Sequence, residues 1–282
     1  MTDLPDDPTL DPERHTRIVS LWSDGSYEDI GALFEPISDE LVADLDLAGL
    51  RVLDAATGTG NTSIAAASAG ATVDACDLTP RLLDVARTRA AAAGLDITFL
   101  EADLLALPYE DDSFDVVVST FGAFTVDDPA RCARELVRVC RPGGRVVTTA
   151  WAQWGAMATS MEVIAREHPE VHDPTGPNPR DWADLDGVRG FVAGLDVEVR
   201  VEQRTAWFRF PSLPAAFELF EMASGPYRRM RAAIEERDPD GWGRVRRDVV
   251  AGWEPLARPA AGGDVELPAD YGVATIVRTS GT

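Results

Sequence analysis

The segment around Asp54 combines an acidic side chain with a glycine turn. Asp54 lies in an apolar stretch that begins at Val52 and gives way to the small-residue run Ala-Ala-Thr-Gly-Thr-Gly. The glycines at positions 58 and 60 allow a sharp backbone turn and the close approach of a ligand. A helix-like segment follows, and its first amides would face that ligand. An acid at this strand end suits a ligand with a cation or hydroxyl groups better than it suits a pyrophosphate.

Two more aspartates follow apolar segments further along the chain. Asp77 comes directly after residues 71–76, and Asp103 comes directly after residues 97–102. In nucleotide-binding folds, an acid at the tip of the second strand accepts hydrogen bonds from ribose hydroxyls. We therefore expect Asp77 to hold the ribose of an adenosine. We expect adenine to lie between Leu78 and Leu104, with Asp103 accepting its amino group.

Later segments continue an alternation of strands and helices. Residues 114–120 are apolar and run into Phe-Gly-Ala-Phe, and residues 129–140 are expected to form a helix. Pro-Gly-Gly at positions 142–144 is a strong turn signal just before a fifth strand. Strands that alternate with helices in this way are typical of a parallel sheet with helices on both faces.

Five of these motifs together resemble a known family. In chain order D-A-A-T-G-T-G, D-L-T-P, A-D, S-F-D-V-V-V-S and R-P-G-G-R resemble the class I S-adenosylmethionine (SAM) dependent methyltransferases. Within that family they are most similar to the small-molecule methyltransferases of ubiquinone and menaquinone biosynthesis. The resemblance covers roughly residues 20–151, and its specificity comes from the order of the five pieces, since no single piece is specific. The chain departs from the family's D-x-G-x-G-x-G at Ala56, where a glycine is usual.

The resemblance implies a fold, a cofactor and a set of binding residues. The implied fold is α/β, with a Rossmann-like seven-stranded, mostly parallel sheet, an N-terminal helical lid and a helical insertion between strands 6 and 7. The implied cofactor is SAM. The cofactor-binding residues expected from it are Tyr27, Asp54, Ala55, Ala56, Thr57, Gly58, Gly60, Asp77, Leu78, Ala102, Asp103, Leu104, Ser119, Thr120 and Phe121.

The flanking segments are expected to contain the acceptor site. We divide the chain into a disordered tail (1–17), a helical lid (18–47), the SAM-binding core (48–204), a helical substrate-lid insertion (205–263) and a last core strand (264–282). In enzymes of the resembling family the leading segment places an aromatic residue near the methionine end, and Tyr27 is the candidate here. The aromatic residues of the insertion either form an apolar pocket wall or only pack the insertion onto the core.

A catalytic base is needed only when the acceptor must lose a proton. His168 and His172, in a proline-rich loop, and Tyr27 are the candidates for that role, while an electron-rich carbon acceptor would need no base. The sequence therefore leaves oxygen, carbon and nitrogen acceptors open. Three scattered cysteines, apart from any histidine cluster, give no reason to expect a metal site.

Charge and composition narrow the class of partner. The chain of 282 residues has a formal net charge of −22, and all of its 26 basic residues are arginine. So negative a field repels phosphate backbones, which disfavours nucleic acid as a substrate. No run approaches the ~20 apolar residues of a spanning helix, and the acidic start is unlike a signal peptide. We expect a cytoplasmic monomer or homodimer that acts on a small, largely apolar molecule, from a halophile or a GC-rich bacterium.

A second function remains compatible with the sequence. Some proteins of this fold bind SAM without transferring its methyl group, and act as cyclases, rearrangement catalysts or regulatory binding proteins. The three aspartates indicate ligand binding and do not by themselves require turnover. Detection of a methylated product, as distinct from SAM binding, separates the two hypotheses.

Overall fold

A twisted sheet forms the centre of the molecule. The computed structural model describes residues 12–171 and 178–279. Within them the strands are β1 (Arg51–Ala55), β2 (Thr72–Asp77), β3 (Ile97–Glu101), β4 (Phe114–Thr120), β5 (Cys140–Trp151), β6 (Val197–Phe210), β7 (Arg258–Pro259) and β8 (Val265–Arg278). Their order across the sheet is β3-β2-β1-β4-β5-β8-β6, and the two-residue β7 pairs with β8.

The first five strands are parallel, and the last part of the sheet is antiparallel. β1 pairs with both β2 and β4, whereas β8 runs antiparallel to β5 and β6. The chain moves outward from β1 to β3 and then returns to β4 on the other side of β1. In an open sheet of this kind, the crevice outside the carboxyl ends of β1 and β4 is where a ligand binds. The expected Rossmann-like, mostly parallel sheet is confirmed.

Helices cover both faces of the sheet. They are α1 (Pro12–Ser23), α2 (Tyr27–Leu45), α3 (Asn61–Ser68), α4 (Pro80–Ala92), α5 (Pro129–Val139), α6 (Gly155–Glu167), α7 (Leu185–Phe191), α8 (Leu213–Ala223), α9 (Gly225–Arg237) and α10 (Gly241–Trp253). One apolar layer contains α2, α3, α6 and α8–α10, and the opposite layer contains α5 and α7. Neighbouring residues of β1, Val52 and Leu53, enter different layers because successive side chains of a strand point to opposite faces.

The start of the fifth strand differs from the prediction. α5 ends at Val139, and β5 already begins at Cys140, so that Pro-Gly-Gly lies inside the strand rather than before it. Pairing jumps from Phe114 opposite Cys140 to Val116 opposite Arg145, which makes the intervening residues a bulge. Gly143 adopts a φ of 76°, a conformation that glycine reaches without steric cost.

The N-terminal segment and the number of strands also differ from the prediction. The expected tail covers 1–17, but residues 12–17 belong to α1, and residues 1–11 lie outside the described part of the chain. The last strand, β8, lies inside the expected segment 264–282, and β7 brings the described sheet to eight strands, one more than expected. These extensions depend on contacts with distant segments, which local sequence patterns do not reveal.

The helical insertion between β6 and β8 packs against the N-terminal helices. Gly25, between α1 and α2, lies so close to Ala223 that a Cβ there would be 2.6 Å from its carbonyl oxygen. Arg228 of α9 donates to Asp24 at 2.9 Å. The insertion and the N-terminal helices therefore form one packed unit. No helix in the described ranges is both long and apolar enough to cross a membrane.

Candidate functional site

A cavity opens at the carboxyl edge of the sheet. It contains about 950 Å³ of empty space, open solvent included, and lies between the ends of β1, β2 and β4, the segment after β3, and helices α1 and α2. Small-molecule sites are typically concave, with apolar walls and a few placed polar groups. The strand topology and the cavity thus indicate the same place for a ligand.

The turn after β1 is held in an unusual backbone conformation. Ala56, Gly58 and Gly60 have φ values of 61°, 55° and 88°. The amide of Thr57 donates to the carbonyl of Cys76 at 2.9 Å, and its hydroxyl donates to Asp54 at 2.6 Å. These bonds fix the turn to both neighbouring strands, so the backbone at the cavity is preorganised.

Asp54 is buried at the base of the cavity. Burial raises the pKa of its carboxyl group to about 6, and hydrogen bonds from Thr57 and Ser63 partly oppose the shift. At neutral pH the group is still mainly a carboxylate in a poorly solvated place. Such a group is stabilised by a nearby ligand cation, because burial leaves its negative charge poorly solvated.

Asp77 is the last residue of β2, the strand next to β1. Its Oδ2 accepts the amide of Gly58 at 2.8 Å, and its Oδ1 accepts the amide of Thr79 at 2.8 Å. Burial raises the pKa of this carboxyl group, and the two amide donors oppose the shift. Two fixed donors hold both oxygens at the cavity wall, where they retain lone pairs for further hydrogen bonds.

Asp103 follows β3 and has an unexpected partner. Its Oδ1 accepts the amide of Leu105 at 2.9 Å, and its Oδ2 pairs with the guanidinium of Arg14 from α1. The apolar side chains Leu78 and Leu104 line the same end of the cavity. This end therefore offers apolar surface beside a carboxylate that already has a cation.

The end of β4 contributes a chain of hydroxyl groups and one constrained aromatic residue. Thr62 donates to Thr120 at 2.8 Å and lies 3.0 Å from the hydroxyl of Ser38. Phe121 has a φ of 54°, and its amide donates to Thr149 at 2.9 Å. A bulky residue with this backbone conformation is uncommon and is found mainly where surrounding structure enforces it.

The structure brings most of the expected cofactor-binding residues together. All but three of them line the cavity, namely Tyr27, Asp54, Ala56, Thr57, Gly58, Asp77, Leu78, Ala102, Asp103, Leu104, Thr120 and Phe121. The other three, Ala55, Gly60 and Ser119, do not line it. Ser119 instead donates to the carbonyl of Ala55 at 2.7 Å and accepts the amide of Ala123 at 2.9 Å, which ties β4 to β1.

Tyr27 lies beside the glycine turn. A Cβ built on Gly58 would be 3.7 Å from the Cε1 atom of Tyr27, and the ring meets Trp22 edge-on at 5.6 Å. Burial, followed by the charge of Asp77, raises the pKa of the Tyr27 phenol. The phenol therefore remains protonated at neutral pH and can donate a hydrogen bond into the cavity.

The histidine candidates are not at the cavity. His168 is buried at the end of α6, with Nδ1 3.1 Å from Glu170 and its ring against Gly241. His168, a candidate base in the sequence analysis, therefore does not line the cavity, because it lies at the contact between the end of α6 and the start of α10. His172 lies outside the described residues.

The insertion, residues 205–263, does not cover the cavity as the predicted substrate lid would. Phe217, Tyr227 and Trp242 are buried against one another, with ring centroids 5.7–6.2 Å apart. No residue of 205–263 lines the cavity. The described structure therefore supports the interpretation that these aromatic residues pack the insertion and do not form a pocket wall. Residues of α1 and α2 line the cavity instead.

Sequence reasoning missed the cavity residues of α1 and, apart from Tyr27, those of α2. Arg14, Ile18 and Trp22 recur every four residues on α1, so they share one helix face. That spacing predicts an amphipathic helix, but it does not say which face meets a cavity. The lining residues not predicted are Arg14, Ile18, Trp22, Gly31, Phe34, Ser38, Thr59, Asn61, Thr62, Thr79, Leu82, Gly122, Thr125 and Val126.

Comparisons of the sequence identify related proteins. A family model described as "Methyltransferase domain" matches residues 53–148. An uncharacterized protein of Mycobacterium tuberculosis is 37% identical over 217 residues, which are 73% of this chain and 76% of that protein. A demethylmenaquinone methyltransferase of Renibacterium salmoninarum is 34% identical over 160 residues, which are 52% of this chain and 66% of the relative.

Comparisons of the structure agree on the fold. The YcgJ protein of Bacillus subtilis superposes with a TM-score of 0.59 at 15% identity, over 86% of this chain and 99% of that protein. A methyltransferase from Bacillus halodurans, named as putative, gives a TM-score of 0.57 at 17% identity with the same coverage. At these identities the likeness concerns the fold alone.

Proposed function

Because the chain belongs to the class I SAM-dependent methyltransferases and uses SAM as its cofactor, we propose that it methylates a small, largely apolar metabolite. One observation carries the proposal. The buried acids Asp54, Asp77 and Asp103 lie at the carboxyl ends of adjacent strands and face one cavity beside a preorganised glycine turn. Such a cavity has polar groups for the cofactor and apolar walls for an acceptor.

We propose that each acid serves a different part of SAM. Asp77, with two amide donors already fixing it, accepts hydrogen bonds from the ribose hydroxyls. Asp103 accepts the adenine amino group between Leu78 and Leu104. Asp54 and the backbone of the turn hold the ammonium group of the methionine end, where a buried carboxylate is most effective.

The walls of the cavity favour a neutral, ring-bearing acceptor. Phe34 and Phe121 have ring centroids 5.3 Å apart, and Phe121 stacks on Trp151 at 4.0 Å. Arg14 is the only cation among the cavity residues of the described chain, and two carboxylates already bind it. An anionic acceptor would find no free positive charge. The name of the Renibacterium relative, a demethylmenaquinone methyltransferase, supports a ring-bearing acceptor as well.

Positioning, rather than proton transfer, accounts best for catalysis. Tyr27 keeps its proton at neutral pH because burial raises its pKa. No histidine of the described chain lines the cavity. Methyl transfer is an in-line displacement, so holding the acceptor atom close to the methyl carbon in a water-poor site provides most of the acceleration.

The positions of residues 18–47 and 205–263 relative to the cavity suggest different roles for the two segments. We propose that residues 18–47 are the lid over the cofactor and acceptor, since Trp22, Tyr27 and Phe34 face the cavity. Residues 205–263 support that lid from behind. The net charge of −22 makes nucleic acid an unfavourable partner, and we propose a monomer or homodimer.

Mass spectrometry with methyl-labelled SAM tests the proposed function. The protein is incubated with a panel of phenols, hydroquinones and aliphatic alcohols, and labelled products are sought. We expect label in a ring-bearing acceptor, and SAM binding without any labelled product would instead favour the non-transferring alternative.

Asp77→Ala tests the ribose assignment, because loss of the charged hydrogen bonds of Asp77 should weaken SAM binding by about 1.5–3 kcal/mol. Unchanged affinity in a calorimeter would contradict the ribose assignment.

A further inference from the structure

Helix α1 closes the adenine end of the cavity with one face. Arg14, Ile18 and Trp22 lie on that face and all line the cavity. The rest of α1 is held from outside, since Arg229 of α9 donates to Ser20 at 3.0 Å. A ligand that occupies the adenine end therefore lies beneath α1.

The guanidinium of Arg14 joins α1 to two carboxylates of the core. Its Nε lies 2.9 Å from both oxygens of Asp127, and its Nη1 pairs with Oδ2 of Asp103. The two carboxylates differ in burial: the Asp103 side chain is 8% exposed and the Asp127 side chain is 49% exposed. Arg14 thus connects an inner partner at the cavity to an outer partner at the surface.

The inner partner is also the group assigned to adenine in the proposed function, on which this inference rests. Oδ1 of Asp103 already accepts the amide of Leu105, and Oδ2 is engaged by Arg14. Both oxygens retain lone pairs, so an adenine amino group can be accepted by Asp103 while lying directly beside the guanidinium of Arg14. Asp127 can keep the guanidinium paired while its bond to Asp103 opens, so the charge of Arg14 never lacks a partner during the exchange.

We propose that Arg14, Asp103 and Asp127 form a latch that controls cofactor exchange at the adenine end. Closed, the latch holds α1 over the adenine and retains SAM until methyl transfer is complete. Open, with Arg14 on Asp127 alone, it lets α1 move aside and S-adenosylhomocysteine leave. Arg14 is in this view a positioning residue whose effect is on the rates of cofactor binding and release.

Release of S-adenosylhomocysteine tests the latch. Trp22 lines the cavity, so its fluorescence reports occupancy in a stopped-flow displacement experiment. Arg14→Met keeps the apolar stem and removes the guanidinium, and it should raise the release rate at least tenfold. The matched control is Arg17→Met, because Arg17 lies on the same helix, 3.9 Å from Asp127, but is exposed and does not line the cavity. Its release rate should stay within twofold of the parent.

Arg14→Lys is a second, more conservative variant that tests the latch if Arg14→Met does not fold. Lysine keeps the positive charge but lacks the planar fork that binds two carboxylates at once, so release should accelerate to an intermediate extent. Melting curves check that all variants are folded. Parental release rates in both Arg14 variants, or equal acceleration by Arg17→Met, would overturn the latch. The measurement needs no acceptor, so the latch fails on release rates alone, whereas the proposed methylation fails on the absence of labelled product.

Discussion

Asp54 illustrates how one buried residue can reduce stability in favour of binding. In the folded protein its pKa is raised from 3.8 to about 6 by burial. The folded state therefore binds a proton more tightly than the unfolded state does. The resulting stabilisation is fully present below the unfolded pKa and is lost as the pH rises through about 6. At pH 7 the buried carboxylate costs the fold on the order of 3 kcal/mol, from ~1.4 kcal/mol per pKa unit.

The same shift predicts a pH dependence of SAM binding. If Asp54 holds the ammonium group, only its carboxylate form binds well, so SAM affinity should fall as the pH decreases through about 6. At pH 5 the affinity should be roughly tenfold below its value at pH 7, because the competent form is then a minor fraction. The ammonium group keeps its proton throughout, since α-amino groups titrate near ~8. Calorimetric titrations from pH 5 to pH 7 measure the effect.

Asp54→Asn provides the control for this dependence. Asn still accepts the hydroxyl of Thr57, but it cannot titrate. It should flatten the pH profile of affinity, bind SAM weakly at every pH, and raise the melting temperature at pH 7. Asp77 is present in both proteins, so the difference between the two profiles isolates Asp54. A profile that remains equally steep in the variant would show that another group titrates.

Cavity residues could be predicted from the sequence where a polar side chain occurs at the end of a predicted strand. Asp54, Asp77 and Asp103 follow apolar segments, and parallel strands bring such ends to one edge. Arg14 was not predictable in this way, because its partner Asp103 is 89 positions away. His168 shows the opposite error: its residue type suggested chemistry, but its helix buries it elsewhere.

The β1–α3 turn shows what an element contributes beyond its side chains. Gly58 has a φ of 55°, and a Cβ there would touch only Tyr27, at the ordinary contact distance of 3.7 Å. The protein atoms around this position therefore leave room for a side chain larger than glycine. Two other requirements favour glycine here: the left-handed backbone conformation, and the close approach of the cofactor that we propose.

Gly58→Ala should separate these two requirements when it is compared with Gly94→Ala. Gly94 also has a positive φ, 69°, but it is exposed and has no atom within 4 Å of an added Cβ. Each variant should lose about 1–2 kcal/mol of stability for a left-handed alanine. Only Gly58→Ala should also weaken SAM binding, by at least tenfold. Equal affinities of the two variants in calorimetry would move the cofactor away from this turn.

Elements were predicted well where periodicity and turn residues agree. The segment 205–263 was expected to be a helical insertion, and α8, α9 and α10 all lie within it. The bulge in β5 was not predicted, because Pro-Gly-Gly has the same local signature in a turn and in a bulge. Which of the two forms depends on pairing with β4, a tertiary contact.

On the scale of the whole molecule, the insertion acts on the cavity only through other helices. Phe217, Tyr227 and Trp242 pack on one another, whereas Phe208 meets Phe34 of α2, with ring centroids 5.8 Å apart. The α8–α9 junction meets the α1–α2 junction through glycines. Since α1 and α2 line the cavity and the insertion does not, the insertion should influence the cofactor by setting the position of α1.

Gly225→Ala tests this mechanical connection. Gly225 is buried at the start of α9, and a Cβ there would overlap the carbonyl oxygen of Leu21 in α1. The added methyl must push α1 away from α9, at a cost of about 1–3 kcal/mol for overpacking. Because α1 carries the cavity residues Ile18 and Trp22, affinity for S-adenosylhomocysteine should fall at least threefold, although Gly225 itself does not line the cavity.

Gly243→Ala is the matched control, because Gly243 is an exposed helical glycine of α10 with no neighbour within 4 Å of an added Cβ. It should gain up to ~1 kcal/mol of stability from helix propensity and leave affinity unchanged. Melting temperatures and calorimetric affinities of the three proteins separate the outcomes. If Gly225→Ala loses stability while its affinity stays parental, the insertion serves folding only and does not position α1 over the cofactor. Loss of both, with Gly243→Ala unaffected, places the control of the cavity in the contact between the two helical junctions.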